Sequence, residues 1–98
     1  MTEIRCSVWN NGGSGWGLRI LGGPSVRDTH FDRKERVVMV DLDGEEFPFN
    51  IDKGSFWRKC PELIGWPLKN WFAAKGLRSG DRLWLRVVES KRRFRATC

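Results

Sequence analysis

Histidine is nearly absent from this 98-residue chain: His30 is the only one. It falls at the end of an expected short helix, where a capping or surface role accounts for it. No Ser-His-Asp arrangement and no phosphate-cradling Gly-Lys-Ser/Thr loop is present, so the inventory does not suit an enzyme. Gly12 to Gly17 is glycine-rich, but no helix follows it to make an anion cradle. Cysteine is scarce and odd in number: Cys6, Cys60 and Cys98 are too widely spaced for a zinc site, and reduced thiols fit better than a disulfide framework. Asp41-Leu42-Asp43-Gly44-Glu45-Glu46 has a calcium loop's composition but not its spacing, since the glycine comes too early and the closing glutamate is missing. No cofactor or metal is expected. Long apolar runs are missing as well, with nothing near the ~18 residues of a membrane span. The opening MTEIRCSVW has no apolar signal core, which makes an intracellular location the expectation. No internal repeat and no long linker divides the chain, so residues 1–98 are expected to form one domain.

Apolar residues and positive charge are what the chain has. The hydrophobic fraction is 40%, with six Trp and six Phe, enough for a single core without staples. The formal net charge is +6 and the pI about 9.8. Such a balance attracts polyanions. Nucleic acid is the first candidate partner. An anionic membrane surface fits poorly, because no basic amphipathic helix with a wide apolar face is visible.

Patterning predicts many short strands. Ile4, Cys6 and Val8 alternate with Arg5, Ser7 and Trp9, and Gly17 to Leu21 follows as a second strand after a polar, glycine-rich loop. Pro24 to Phe31 is expected to be a short helix, with Val26 and Phe31 facing inward. Val37–Leu42 and Glu46–Ile51 are joined by Asp43-Gly44, the strongest hairpin signal in the chain. Pro48 pushes the second of these strands toward an edge. Ser55–Arg58 is assigned to a short strand, and Cys60-Pro61 to a connection. Pro67 opens a helix with Leu68, Trp71 and Phe72 as its apolar stripe, and Gly76 ends it. Ser79-Gly80-Asp81 then turns the chain into a strand in which Leu83, Leu85 and Val87 alternate with Arg82, Trp84 and Arg86. Arg92–Ala96 makes a last strand. The sum is a mainly β chain of six or seven strands and two short helices, arranged as an antiparallel barrel-like sheet.

The stretch VVMVDLDGEEFPFNI, followed by GWPLKNWFAAKGLRSGDRLWLRV, resembles the B3-type DNA-binding domain. Gly65-Trp66, Phe72, Gly76-Leu77 and Gly80-Asp81 stand at corresponding places, and upstream GLRILGGPSVRDTHF is similar to the family's second strand and first helix. The resemblance spans roughly Val8 to Val88. It implies a seven-stranded open pseudobarrel with two helices that binds double-stranded DNA through two arms in the major groove. Members include plant transcription factors and recognition modules of bacterial restriction endonucleases. The implied location is the nucleus in a plant, or the cytoplasm and nucleoid in a bacterium. An effector protein, fused or separate, would complete the activity.

Carried onto this chain, the first arm is Asn10 to Arg19 and the second Asn50 to Lys59, both imagined as projecting polar fingers. Asn10 and Asn11 can pair with adenine edges and Arg19 with guanine. Ser14, Lys53, Ser55, Arg58 and Lys59 can hold phosphates. Trp16 and Trp57 either line the groove and support the arms or are core residues. The basic run Lys91–Arg95 is either an exposed final strand or an extra source of phosphate attraction. Two other readings remain open: a protein-interaction domain that keeps the barrel without DNA contact, and a single-stranded nucleic-acid binder using exposed aromatics.

Overall fold

Alternation of apolar and polar residues builds most of this molecule. The computed structural model describes residues 2–10 and 15–98. Seven strands and three short helices follow in the order β1 (Glu3–Asn10), β2 (Trp16–Ile20), α1 (Gly23–His30), β3 (Val37–Leu42), β4 (Glu45–Asn50), α2 (Gly54–Arg58), β5 (Glu62–Ile64), α3 (Trp66–Lys75), β6 (Arg82–Glu89) and β7 (Arg93–Thr97). The strands form one sheet in the order β4-β3-β7-β6-β1-β2-β5. Only β3 and β7 run parallel. The sheet curls until its two edges, β4 and β5, come close, giving a nearly closed barrel. Phe49 of β4 rests against Gly65 just after β5, where an added Cβ would sit 3.0 Å from its ring.

Every second residue of the long strands fills the interior: Ile4, Cys6 and Val8 of β1, Val38, Val40 and Leu42 of β3, Leu83 and Leu85 of β6, Phe94 and Ala96 of β7. The alternation fails late in β6, where the register with β7 shifts between Val87 and Glu89 and leaves Val88 exposed. Phe31 closes one end of the core, its ring centroid 5.1 Å from Phe94 and 5.2 Å from Phe56. Asp43 and Gly44 both have positive φ, 57° and 97°, as the twist-compatible two-residue hairpin requires. Gly76 adopts the left-handed conformation that ends α3. Pro48 lies in β4, an edge strand, where a missing N–H is tolerated.

Two assignments change. Ser55–Arg58 is part of α2, not a strand, so there are three helices. Phe56 and Trp57 are adjacent and both buried. A strand would send them to opposite faces, whereas successive residues of a helical turn can share one side. The strand before α3 is instead Glu62–Ile64, within the stretch from Cys60-Pro61 to the helix that the pattern assigns to a connection. With Leu63 alone facing in, three residues are too few to show a period. Among the described residues no helix is long and apolar enough to cross a membrane.

Candidate nucleic-acid interface

Strand direction decides where the two candidate arms sit. β1 and β2 form a hairpin in which Asn10 stands opposite Trp16 at the end next to the connecting loop. β5 runs antiparallel to β2, with Gly17 opposite Ile64 and Arg19 opposite Glu62. The Gly65 N–H donates to the Trp16 carbonyl at one end, and the Ile20 N–H donates to the Pro61 carbonyl at the other. Asn10 and Trp16 on one side, and Pro61 at the close of the β4–β5 connection on the other, therefore lie at opposite ends of the same strand pair. Four residue steps along β2, about 13 Å of strand, run from Trp16 to Ile20.

At the hairpin end, Asn10 is the last residue of β1. Asn11 and Ser14 lie outside the described residues. Trp16 is half-buried and packs on α3, its ring 5.7 Å from Phe72, so it braces the hairpin from beneath. Gly17 is covered by its neighbours, and a Cβ there would meet the Leu63 carbonyl oxygen at 3.0 Å, Ile64 at 3.2 Å and the Trp9 ring at 3.3 Å. Arg19 points outward but is engaged: its Nε and Nη2 donate to Glu62 Oε2 at 3.2 and 3.1 Å.

The second arm is no projecting finger. The Asn50 side-chain oxygen accepts the Asp52 N–H at 2.7 Å and bends the chain after β4. α2 then folds onto the barrel through Phe56 and Trp57. Trp57 is a structural anchor: its Nε1 donates to the Ile51 carbonyl at 2.9 Å, and its carbonyl accepts from Arg27 Nη1. The guanidinium carbons of Arg27 and Arg33 lie 5.6 and 4.8 Å from its ring centroid. What remains outside is polar. Ser55, Arg58 and Lys59 are exposed and Lys53 half-buried. Among the described residues, Lys53, Arg58 and Lys59 have no acidic partner.

On the sheet most of the arginines are answered by carboxylates. Arg19 pairs with Glu62, Arg86 with Glu3 at 3.7 Å, Arg93 with Glu46 at 3.1 Å and Arg95 with Asp41 at 3.3 Å. Arg92 lies 3.3 Å from Glu35. The basic run before the C-terminus thus begins in a turn with Lys91 and Arg92 and enters an exposed strand whose arginines, Arg93 and Arg95, are paired across the sheet. Arg5 and Arg82 are exceptions, and both line a cleft of about 440 Å³ with Leu21, Leu83 and Trp84 on the outer face of β1 and β6. The outward alternation of Arg5, Arg82 and Trp84 is legible in the sequence, but their adjacency depends on the β1–β6 register, which pairs Arg5 with Trp84. Among the described residues no three His, Cys, Asp or Glu side chains gather as a metal site.

Comparison with protein-family models, with curated proteins and with solved structures found no match. The likeness to B3-type domains rests on the sequence motifs alone.

Proposed function

We propose that this domain binds double-stranded DNA, with the hairpin tip and the α2 segment entering or flanking one major groove. The observation that carries the reading is the set Lys53, Arg58 and Lys59, without acidic partners among the described residues, on the connection that enters β5 at the Ile20 end of β2, with Asn10 and Trp16 at the other end. Trp16 and Ile20, the two ends of β2, are about 13 Å apart along the strand, close to the ~12 Å width of the major groove. In this reading the three cations, Ser55 and Ser14 hold phosphates, Asn10 and Asn11 pair with adenine edges, and Asn50 belongs to the second contact segment. Trp16 and Trp57 hold the two segments in place from the core side. Arg19 reaches a guanine edge by leaving Glu62. The domain then acts as a transcription regulator or a recognition module, in the nucleus or on the nucleoid, alongside an effector.

The test is a mobility shift with mixed duplexes at low salt, followed by selection from a random duplex pool. Binding that weakens steeply with salt supports the reading, and no shift at micromolar protein overturns it. Removing Lys53 is expected to weaken all duplexes alike and flatten the salt slope by about 0.9. Glu62→Gln, which frees Arg19, is expected to tighten binding severalfold, most for the selected sequences. A protein-interaction role for the same barrel is favoured by one feature: Trp66 is 72% exposed, and its ring is 6.3 Å from that of Phe47 beside the β4 edge.

A further inference from the structure

The outer face of the sheet carries a second cationic site, distinct from both arms. On β1 and β6 the outward residues fall in register: Arg5 opposite Trp84, Ser7 opposite Arg82. Trp84 is 37% exposed, although it stands in a central strand of a seven-stranded sheet. Arg82 lies two residues before it and shares its face. The other arginines of this face each have a carboxylate within 4 Å: Arg19, Arg86, Arg93 and Arg95. Arg5 and Arg82 have none among the described residues. Two free guanidinium groups thus border one half-exposed indole in a cleft of about 440 Å³, a volume in the range of small-molecule sites.

We infer that this cleft holds one unpaired nucleotide of a nucleic-acid strand, its base stacked on Trp84 and its flanking phosphates on Arg5 and Arg82. The chemistry selects an aromatic anion. Guanidinium forks suit phosphate oxygens, and an indole face suits any base without sequence preference. An acidic peptide would answer the arginines and leave the ring face unused. The site shares with the proposed function only its choice of a nucleic-acid partner. It uses none of the same residues.

Fluorescence anisotropy of the full chain with a labelled short oligothymidine tests it, with a labelled duplex measured in parallel. Trp84→Ala is expected to weaken oligothymidine binding about tenfold or more, and Trp84→Phe, which keeps a ring face, to retain most of it. Replacing Arg5 and Arg82 together by Ala is expected to lower the salt slope for oligothymidine by about 1.4. Duplex binding should be untouched by all three, which also reports that the variants fold. Wild-type protein that ignores oligothymidine overturns the inference, as does a Trp84→Ala protein that binds it normally. Competition by polyglutamate as strong as by unlabelled oligothymidine also overturns it, by showing that the cleft reads charge alone. Equal loss of duplex and oligothymidine binding on Trp84→Ala would make the cleft part of the duplex grip and remove the separate site. Failure of the duplex reading is recognised differently, by a Lys53, Arg58 and Lys59 triple variant that binds duplex as the wild type does.

Discussion

Arg27 is the one charged residue buried in the barrel, 8% exposed, and its surroundings show why it is tolerated. Its Nε donates to Asp28 Oδ1 at 2.9 Å, its Nη1 donates to the Trp57 carbonyl, and its plane lies against the Trp57 ring. One side chain thereby ties α1 to α2. Arg27→Ala leaves a buried carbonyl without a donor and is expected to cost about 1–3 kcal/mol in a urea titration. Arg27→Lys should recover only part of this, since an ammonium cannot serve carbonyl, carboxylate and ring at once. The cysteines separate just as clearly. Burial pushes the Cys6 thiol up to about 12 from its ordinary 9.0, whereas Cys60 and Cys98 are exposed. A thiol reagent at neutral pH should label two sites rapidly on the folded protein and the third only on unfolding. The raised Cys6 value also sets a sign. The folded state keeps its proton longer than the unfolded chain, so this contribution to stability is complete below pH 9.0 and is lost as the pH rises toward about 12. Thermal melts of wild type and Cys6→Ala should converge across that alkaline window.

Among the elements, β5 depends most on its neighbours. It has three residues and pairs only with β2, and the pairing holds because Gly17 lets the Leu63 carbonyl, Ile64 and Trp9 close over it. Gly17→Ala must push apart backbone and ring and is expected to cost about 1–3 kcal/mol, read by chemical denaturation. Loosening β5 also displaces Glu62 from Arg19, so the same variant should alter duplex affinity. The β3–β4 hairpin is tied to α3 through Asp43 and Lys75, 2.8 Å apart. The Lys75 ammonium holds the Asp43 carboxyl below its ordinary 3.8, and Asp43 in turn raises Lys75 above 10.5. A depressed carboxyl contributes stability above its unfolded value and loses it as the pH falls through the folded one. Asp43→Asn, which still suits the positive φ, should therefore be less stable than wild type at neutral pH and equal to it once acid has protonated Asp43. Paired melts at the two pH values check this.

For the molecule as a whole, the arrangement of charge matters more than its sum. Of a formal +6, most of the sheet's arginines are cancelled by cross-strand carboxylates. Among the described residues Arg33, Lys34, Lys69, Arg78 and Lys91 also lack an ion pair, but the unpaired cations gather in two groups at the proposed sites: Lys53, Arg58 and Lys59 on the β4–β5 connection, and Arg5 and Arg82 in the cleft over β1 and β6. Two separated surpluses predict two separable polyanion affinities, each falling with salt along its own slope. A single slope, abolished at both sites by one set of substitutions, would show one continuous surface instead.

Much of this was legible in the order of residues. The alternations in β1, β3 and β6, the Asp43-Gly44 turn, the Gly76 helix stop and the edge character of β4 are local, set by side-chain period and by backbone angles that few residues accept. Nothing local distinguished Ser55–Arg58 as a helix, because its fold follows from burying Phe56 and Trp57 together against Phe31. The fate of the charges was equally hidden. Arg19 and Glu62 are 43 residues apart in the chain, and Arg93 and Glu46 are 47 apart. In the regular strands sequence alone determined which residues face out; strand register decided which of them meet, and so which cations are cancelled and which remain to bind.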